Sequence, residues 1–100
     1  MLEKHKPIRL HGDKLRELNG KIYNRDNNSC VLCGAYVPEG TKFHHIDFKS
    51  QGGSDEEKNG VMLCETGANC HGTKAHGPNA KAIREKLKKY INDYYSNTNI

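Results

Sequence analysis

The sequence predicts a small α+β domain that relies on zinc for much of its stability. Its 100 residues carry a formal net charge of +4, and the mean hydropathy is −0.91. Only 18 residues are Leu, Ile, Val or Phe, which is below the share that usually supports a self-sufficient hydrophobic core. Four cysteines fall into two pairs, and helical and strand-like patterns alternate along the chain. Metal ligation by the cysteines would supply the stability that the small core lacks.

The sequence also indicates the cellular compartment in which we expect the protein. No apolar run approaches the roughly 18 residues of a membrane span, so we expect no membrane partner. The opening segment, MLEKHKPIRLHG, has no apolar stretch of the kind found in a secretory signal. The expected location is therefore the cytoplasm, where thiols stay reduced.

The cysteine spacing indicates a four-thiolate zinc site. Cys30 and Cys33 are separated by two residues and followed by Gly34, a spacing that lets both thiolates reach one tetrahedral ion. Cys64 and Cys70 are separated by five residues, which is longer than the common spacer of two. Two disulfides are the alternative, and a reducing compartment disfavours them.

Two helices are expected, one on each side of the cysteine-rich region. Residues 13–24 place Leu15, Leu18 and Ile22 at helical spacing. Residues 79–95 form the clearer helix, whose apolar stripe consists of Ile83, Leu87, Tyr90, Ile91 and Tyr94. We therefore divide the chain into a basic arm at 1–12, a single domain at 13–95 with its core at 23–76, and a frayed tail at 96–100.

Strand patterns and histidines lie between the helices. Residues 41–48 (TKFHHIDF) and 61–63 have the composition of strands, and a Gly-rich acidic loop joins them. His44 and His45 are adjacent in the first of these strands, so their side chains should face opposite sides. His71 directly follows Cys70, so zinc ligation would fix the direction in which His71 points.

Several of these motifs occur together in one string, HHIDFKSQGGSDEEKNGVMLCETGANCH, preceded by CVLCGA. In this order and nearly this spacing, the string resembles an HNH endonuclease with a structural zinc, over residues 23–76. The resemblance implies a ββα-metal finger, in which two strands and a helix surround one catalytic divalent ion, flanked by the N-terminal and C-terminal helices. It also implies that the four cysteines bind the structural zinc behind this finger.

The resemblance further implies roles for individual residues. His45 matches the general base that takes a proton from the attacking water, and His44 and His71 match the ligands of the catalytic ion. Asn59 matches the motif asparagine, which braces the base-bearing strand across the loop. His76 follows His71 by five residues, whereas relatives with an extra ligand usually carry it after four. His76 is therefore either a third metal ligand or a surface or phosphate-contacting histidine.

The implied function is a metal-dependent DNA endonuclease of low intrinsic sequence specificity, which nicks one strand or, as a homodimer, cuts both. A neutral imidazole can take the proton of the attacking water near pH 7, and a divalent ion can stabilise the charge that develops at the phosphate. Mg²⁺ or Mn²⁺ is the expected catalytic ion, with Ni²⁺ or Zn²⁺ as alternatives. Small members of the family often belong to phage or mobile-element systems, so partner proteins of a phage or restriction system are also expected.

Basic residues are gathered at the two ends of the chain. The C-terminal helix carries five Lys or Arg residues against two acidic ones, and a solvated face is the simplest interpretation of such a helix. The functional interpretation is sequence-independent contact with DNA phosphates. The candidates for this contact are Lys81, Arg84 and Lys88.

Two departures from the family pattern support an alternative function. Five residues rather than two separate Cys64 from Cys70, and Gly60 replaces the apolar residue that usually follows the motif asparagine. This glycine is expected to loosen the second strand. The alternative is a non-catalytic zinc-ribbon module that binds nucleic acid, or an adaptor in a phage packaging or restriction complex. It predicts DNA binding that is indifferent to divalent ions.

Overall fold

The computed structural model describes residues 7–97 of the chain. Its main elements are helix α1 (Gly12–Arg25), strand β1 (His44–His45), strand β2 (Gly60–Val61) and helix α2 (Ala80–Asn97). The strands pair antiparallel, with His44 opposite Val61 and His45 opposite Gly60. The predicted α+β class is confirmed. Residues 1–6 of the predicted arm and 98–100 of the predicted tail lie outside the described residues.

The connections contain three short helical turns. Two are 3₁₀ turns at Lys49–Gln51 and Glu57–Asn59, and the third is a π-helical turn at His71–Ala75. The π-helical turn begins directly after the last cysteine, so it positions the residues that follow the cysteine cluster. Among the described residues, no helix combines the length and apolar character needed to cross a membrane.

The predicted strand at 41–48 is largely wrong, because a side chain takes the place of a partner strand. Only the two residues of β1 pair with β2. The side chain of Asn19 in α1 forms the hydrogen bonds of the backbone before β1. Its Nδ2 donates to the Thr41 carbonyl at 2.8 Å, and its Oδ1 accepts a hydrogen bond from the Phe43 N–H at 2.8 Å. These bonds satisfy the backbone without a ladder, so the strand contains little more than its two histidines.

Gly60 does not loosen the second strand, which corrects the expectation from sequence. It is buried, and a Cβ at this position would lie 2.5 Å from Ile22 Cδ1 and 2.6 Å from Phe43 Cδ1. Helix α1 and the segment before β1 therefore pack directly against the backbone of β2. Because only glycine leaves room for this approach, Gly60 permits tight packing.

A buried ion pair joins α1, β2 and α2. The Arg25 guanidinium donates to both carboxylate oxygens of Asp26, at 2.8 and 3.0 Å, and the two side chains are 3% and 0% exposed. Asp26 also accepts the Met62 N–H at 2.8 Å and the Tyr90 hydroxyl at 2.6 Å. No pattern in the sequence indicates this pair. It explains why β2 ends at Val61, since the next N–H is directed to a carboxylate.

Helix α2 closes the core with the stripe expected from its sequence. Leu87 and Ile91 are buried, whereas Ile83 and Tyr90 are partly buried. Tyr94 departs from the expectation, because it is 36% exposed at the end of the helix. The stripe packs on a core formed by α1, β2 with the residues that follow it, and three buried cysteines.

Candidate metal centres and active site

The four cysteines converge in a cluster whose geometry suits zinc. All four Sγ atoms lie within 4.8 Å of one another, and none forms a disulfide. Zn–S bonds of about 2.3 Å in a tetrahedron place the sulfurs about 3.8 Å apart, and Cys33 Sγ lies 3.7 Å from Cys64 Sγ. The cluster is consistent with the expected structural zinc, and the disulfide alternative has no support in it.

The five-residue spacer between Cys64 and Cys70 does not open this cluster. The Cys70 N–H points to Cys64 Sγ at 3.3 Å, and the His71 N–H donates to the Cys64 carbonyl at 3.1 Å. Residues 65–68 are exposed, and the loop turns through left-handed backbone at Gly67 and Asn69. The additional residues therefore bulge into solvent while Cys70 returns to its partner.

The acidity of the thiols also favours a bound cation. Burial raises the pKa of the Cys30 thiol, but N–H groups of Cys64, Cys33 and Leu32 outweigh burial and lower the pKa to about 7. Burial and the three neighbouring thiols raise the pKa of Cys70 to about 12. All four sulfurs can ionise together only if a cation offsets their mutual repulsion, which is what a zinc ion provides.

A second cluster of potential metal ligands is formed by three histidines, which we call the histidine triad: His44, His71 and His76. One ring nitrogen from each lies within 4.8 Å of the others. The ring centroids of His71 and His76 are 4.7 Å apart, and those of His44 and His71 are 5.1 Å apart. The sequence leaves two roles open for His76, and the structure places it beside the other two histidines.

The π-helical turn explains the five-residue spacing between His71 and His76. The turn at His71–Ala75 has wider hydrogen-bonded rings than an α-helix. It therefore brings residues five apart to the same side, where an α-helix would do so for residues four apart. Phe48 stacks on His76 at 5.1 Å between ring centroids and supports this arrangement.

Burial keeps the central histidine of the triad neutral. His44 is 6% exposed. Burial, together with the neighbouring His71, His76 and His45, lowers the pKa of His44 to about 3. A metal ligand must be an unprotonated imidazole, so this environment suits ligation. The nitrogen donors of the triad fit a divalent transition metal well.

The side chain of His45 leaves β1 on the opposite side from that of His44, yet His45 lines the same cleft as the histidine triad. As expected for neighbours in a strand, His45 turns away from His44 and bonds Asp55, with 2.7 Å between Nε2 and Oδ1. A cleft of about 400 Å³ is lined by His45 and by all three residues of the triad. A ligand in this cleft can therefore contact His45 and a triad-bound ion together.

The sequence model of the HNH endonuclease family matches residues 30–77 of the chain. This stretch contains the four cysteines and the whole histidine triad. Over these residues the chain is similar to the HNH endonuclease family. No significant match is found among curated proteins or among solved structures.

Asn59 fastens the loop between the strands. Its Oδ1 accepts the Asp47 N–H at 2.8 Å, and its Nδ2 donates to the carbonyls of Asp47 at 3.2 Å and Ser54 at 3.0 Å. These bonds join the end of the loop to Asp47, two residues after β1. Gly53 belongs to the same loop, and a Cβ there would overlap the Asp47 carbonyl. The loop can therefore close tightly against the end of β1.

The three basic candidates of α2 differ in their contacts. Lys81 is exposed. The Arg84 guanidinium lies 5.7 Å above the ring of Phe48, the residue that stacks on His76. Lys88 pairs with Asp47 at 3.1 Å, with both side chains about half exposed. Of the three, Arg84 is therefore the residue that contacts the lining of the cleft, through Phe48.

Sequence reasoning missed one residue of the site, Asp55. Its carboxylate is 4% exposed and bonds both His45 and the segment before α1. The acidic residue after Gly52–Gly53 is part of the family pattern, and this was the available signal. The partners of Asp55 are distant in the chain, so spacing gave no indication of its contacts.

Proposed function

We propose that this HNH domain is a metal-dependent endonuclease that hydrolyses phosphodiester bonds in DNA. The family implies a nucleic acid substrate. The observation that carries the proposal is that three converging imidazoles and a separate fourth imidazole, His45, line one open cleft. Such a cleft can hold a cation and a proton acceptor on either side of a phosphate.

The histidine triad would hold the divalent ion. Such an ion offsets the charge on the phosphate and on the departing oxygen. The third nitrogen donor, His76, changes the expected metal preference, because imidazole suits Ni²⁺ or Zn²⁺ better than Mg²⁺ or Mn²⁺, which prefer oxygen ligands. His44 contributes a neutral ring because it is buried.

His45 acts as the general base. It accepts a proton from the water that attacks phosphorus, while the P–O bond to the departing oxygen breaks. Its half-buried ring stands in the same cleft as the triad, within reach of a bound phosphate. Asn59 contributes indirectly, since its three hydrogen bonds hold the loop that follows β1.

The basic face of α2 would bind the phosphate backbone beside the cleft. Lys81, Arg84 and Lys88 recur at helical spacing, and Arg84 reaches the site through Phe48. The exposed pair between Lys88 and Asp47 is weak, so a phosphate can compete for Lys88. Contacts of this kind read no sequence, which supports low intrinsic specificity. A single copy with one cleft would nick one strand.

Supercoiled plasmid tests the proposal. Protein with zinc in the cysteine cluster is incubated with Mg²⁺, Mn²⁺, Ni²⁺ or Zn²⁺, and nicked and linear products are counted. We expect metal-dependent nicking that His45→Ala lowers by about 10²-fold or more. His11→Ala is a matched control, because His11 is exposed in the segment before α1. Absence of nicking by the wild type with every ion would refute the proposal.

The non-catalytic alternative is decided by the same experiment. Two departures from the family pattern favoured this alternative, and the structure weakens both. The longer spacer still brings Cys70 back to Cys64, and Gly60 packs tightly against its neighbours. A zinc-ribbon module or adaptor would bind the plasmid with equal affinity in every metal and leave it supercoiled. The endonuclease instead nicks DNA only when the triad can be loaded.

A further inference from the structure

The carboxylate of Asp55 is placed to control the ring of His45. Its Oδ1 lies 2.7 Å from His45 Nε2, and the two side chains are 4% and 21% exposed. Within the described residues, the other nitrogen of the ring, Nδ1, makes no hydrogen bond. His45 is therefore held through one nitrogen, and the other is left for the cleft.

Asp55 is itself held by the segment before α1. Its Oδ2 accepts the Leu10 N–H at 2.9 Å, and its own N–H donates to the Ile8 carbonyl at 2.9 Å. The Ile8 N–H in turn donates to Ser54 Oγ at 2.8 Å. Residues 8–10 thus run along residues 53–55, and both carboxylate oxygens of Asp55 have fixed partners.

Arg9 adds charge and a further bond to this contact. Its guanidinium donates to the Gly53 carbonyl at 2.6 Å and lies 3.9 Å from Asp55 Oδ1. Burial alone would raise the pKa of Asp55, but the bonds from His45 and Leu10 and the charge of Arg9 lower the pKa below its ordinary value. Asp55 therefore remains a carboxylate and accepts hydrogen bonds only.

Besides the bond to Asp55, the described residues give the His45 ring one aromatic neighbour. Strand β1 contains only two residues, and the nearest aromatic neighbour, Phe43, lies 4.7 Å away between ring centroids. A misplacement of about 1 Å in a reacting group can cost about 10²-fold in rate. The bond to Asp55 is the contact that fixes both the ring plane and which nitrogen carries the proton.

We propose that Asp55, clamped by residues 8–10, is the positioning residue of His45: its carboxylate accepts a hydrogen bond from the Nε2–H, which leaves the unprotonated Nδ1 to face the attacking water. This inference rests on the proposed function, because it gives His45 a reaction to perform. It makes the segment before α1 a part of the active site. The basic arm thus has a role in addition to any contact with phosphate.

The decisive variant is Asp55→Asn, which keeps the size of the side chain and removes its charge. The cleavage rate at saturating DNA should fall about 10²-fold, while DNA affinity changes by less than about twofold. Glu56→Gln is the matched control, because Glu56 is an exposed neighbour, and it should retain the wild-type rate. A wild-type rate in Asp55→Asn, with His45→Ala inactive, would overturn the inference and leave the proposed function standing.

Nitrogen-15 NMR of the histidine rings tests the contact without relying on activity. In the zinc-loaded wild type at about pH 8, where free imidazole is neutral, the His45 ring should carry its proton on Nε2. This proton should exchange slowly with solvent, and Asp55→Asn should lose that protection. A His45 ring protonated on Nδ1 in the wild type would overturn the inference even if no cleavage is observed.

Arg9→Ala provides a variant that leaves Asp55 in place. Loss of the Arg9 contacts should loosen the carboxylate and lower the rate at saturating DNA about tenfold. Lys21→Ala removes the same charge from an exposed site on α1 and should leave this rate unchanged. Equal rates for Arg9→Ala and Lys21→Ala would show that residues 8–10 do not position the base. If Asp55→Asn fails to fold, this pair and the wild-type NMR spectrum decide the question.

Discussion

Replacement of Asp26 by asparagine should remove a large part of the stability of the fold. The Asp26 carboxylate accepts two bonds from Arg25, one from the Met62 N–H and one from the Tyr90 hydroxyl. Asparagine has one acceptor oxygen and no charge, so the buried guanidinium would lose its counter-ion. Breaking a buried pair in this way costs about 3–5 kcal/mol. A domain of this size has a total stability of about 5–15 kcal/mol.

Urea unfolding of the zinc-loaded protein, followed by circular dichroism, measures this effect. With a slope of about 1–3 kcal/mol/M, a loss of about 4 kcal/mol lowers the midpoint by about 1–4 M. The matched control is Asp93→Asn on α2. Among the described residues Asp93 forms an exposed pair with Lys89, so its replacement should cost less than about 0.5 kcal/mol. A loss below about 1 kcal/mol for Asp26→Asn would refute the conclusion that this pair holds α1, β2 and α2 together.

Three further predictions follow from the same structure. Removal of zinc by a chelator should abolish cooperative thermal unfolding, because structural zinc binds with roughly 10–16 kcal/mol of apparent free energy; a cooperative melt of the metal-free chain would contradict this. Gly60→Ala should destabilise the fold by about 1–3 kcal/mol in urea, because the new Cβ would meet Ile22 and Phe43, whereas Gly20→Ala, with open space around it, should be neutral or stabilising. Burial lowers the pKa of His44 to about 3, so below about pH 6.5 the unfolded chain binds more protons than the folded protein. The free energy of unfolding should therefore decrease as the pH is lowered through that range. Relative to His44→Asn, the wild type should lose about 1.4 kcal/mol between about pH 7.5 and 5.5, and parallel curves would show that His44 is not buried as a neutral ring.

The sequence predicted those parts of the site whose residues lie close together along the chain. The cysteine pairs and the adjacent histidines are fixed by covalent geometry and by strand alternation, so their grouping follows from neighbours in the chain. Both helices were anticipated because their apolar periodicity extends over several turns. α1 extends over Gly12–Arg25 and α2 over Ala80–Asn97, close to the predicted bounds.

The missed features depend on contacts between distant residues. Asp26 lies in a stretch rich in Asn and Asp that resembles a turn, yet its partners include Tyr90 of α2. Asp55 bonds Leu10 across 45 positions. The strand at 41–48 was overpredicted because the Asn19 side chain replaces a ladder. None of these contacts leaves a periodic pattern in the sequence.

We propose that His45 acts as a base beside an ion held by the histidine triad. A labelled DNA duplex, cleaved in a single turnover by zinc-loaded protein with added Mn²⁺, tests it most directly. The cleavage rate of His45→Ala should be about 10²-fold or more below that of the wild type, with zinc content and DNA affinity unchanged. Equal rates for the two proteins would contradict the claim.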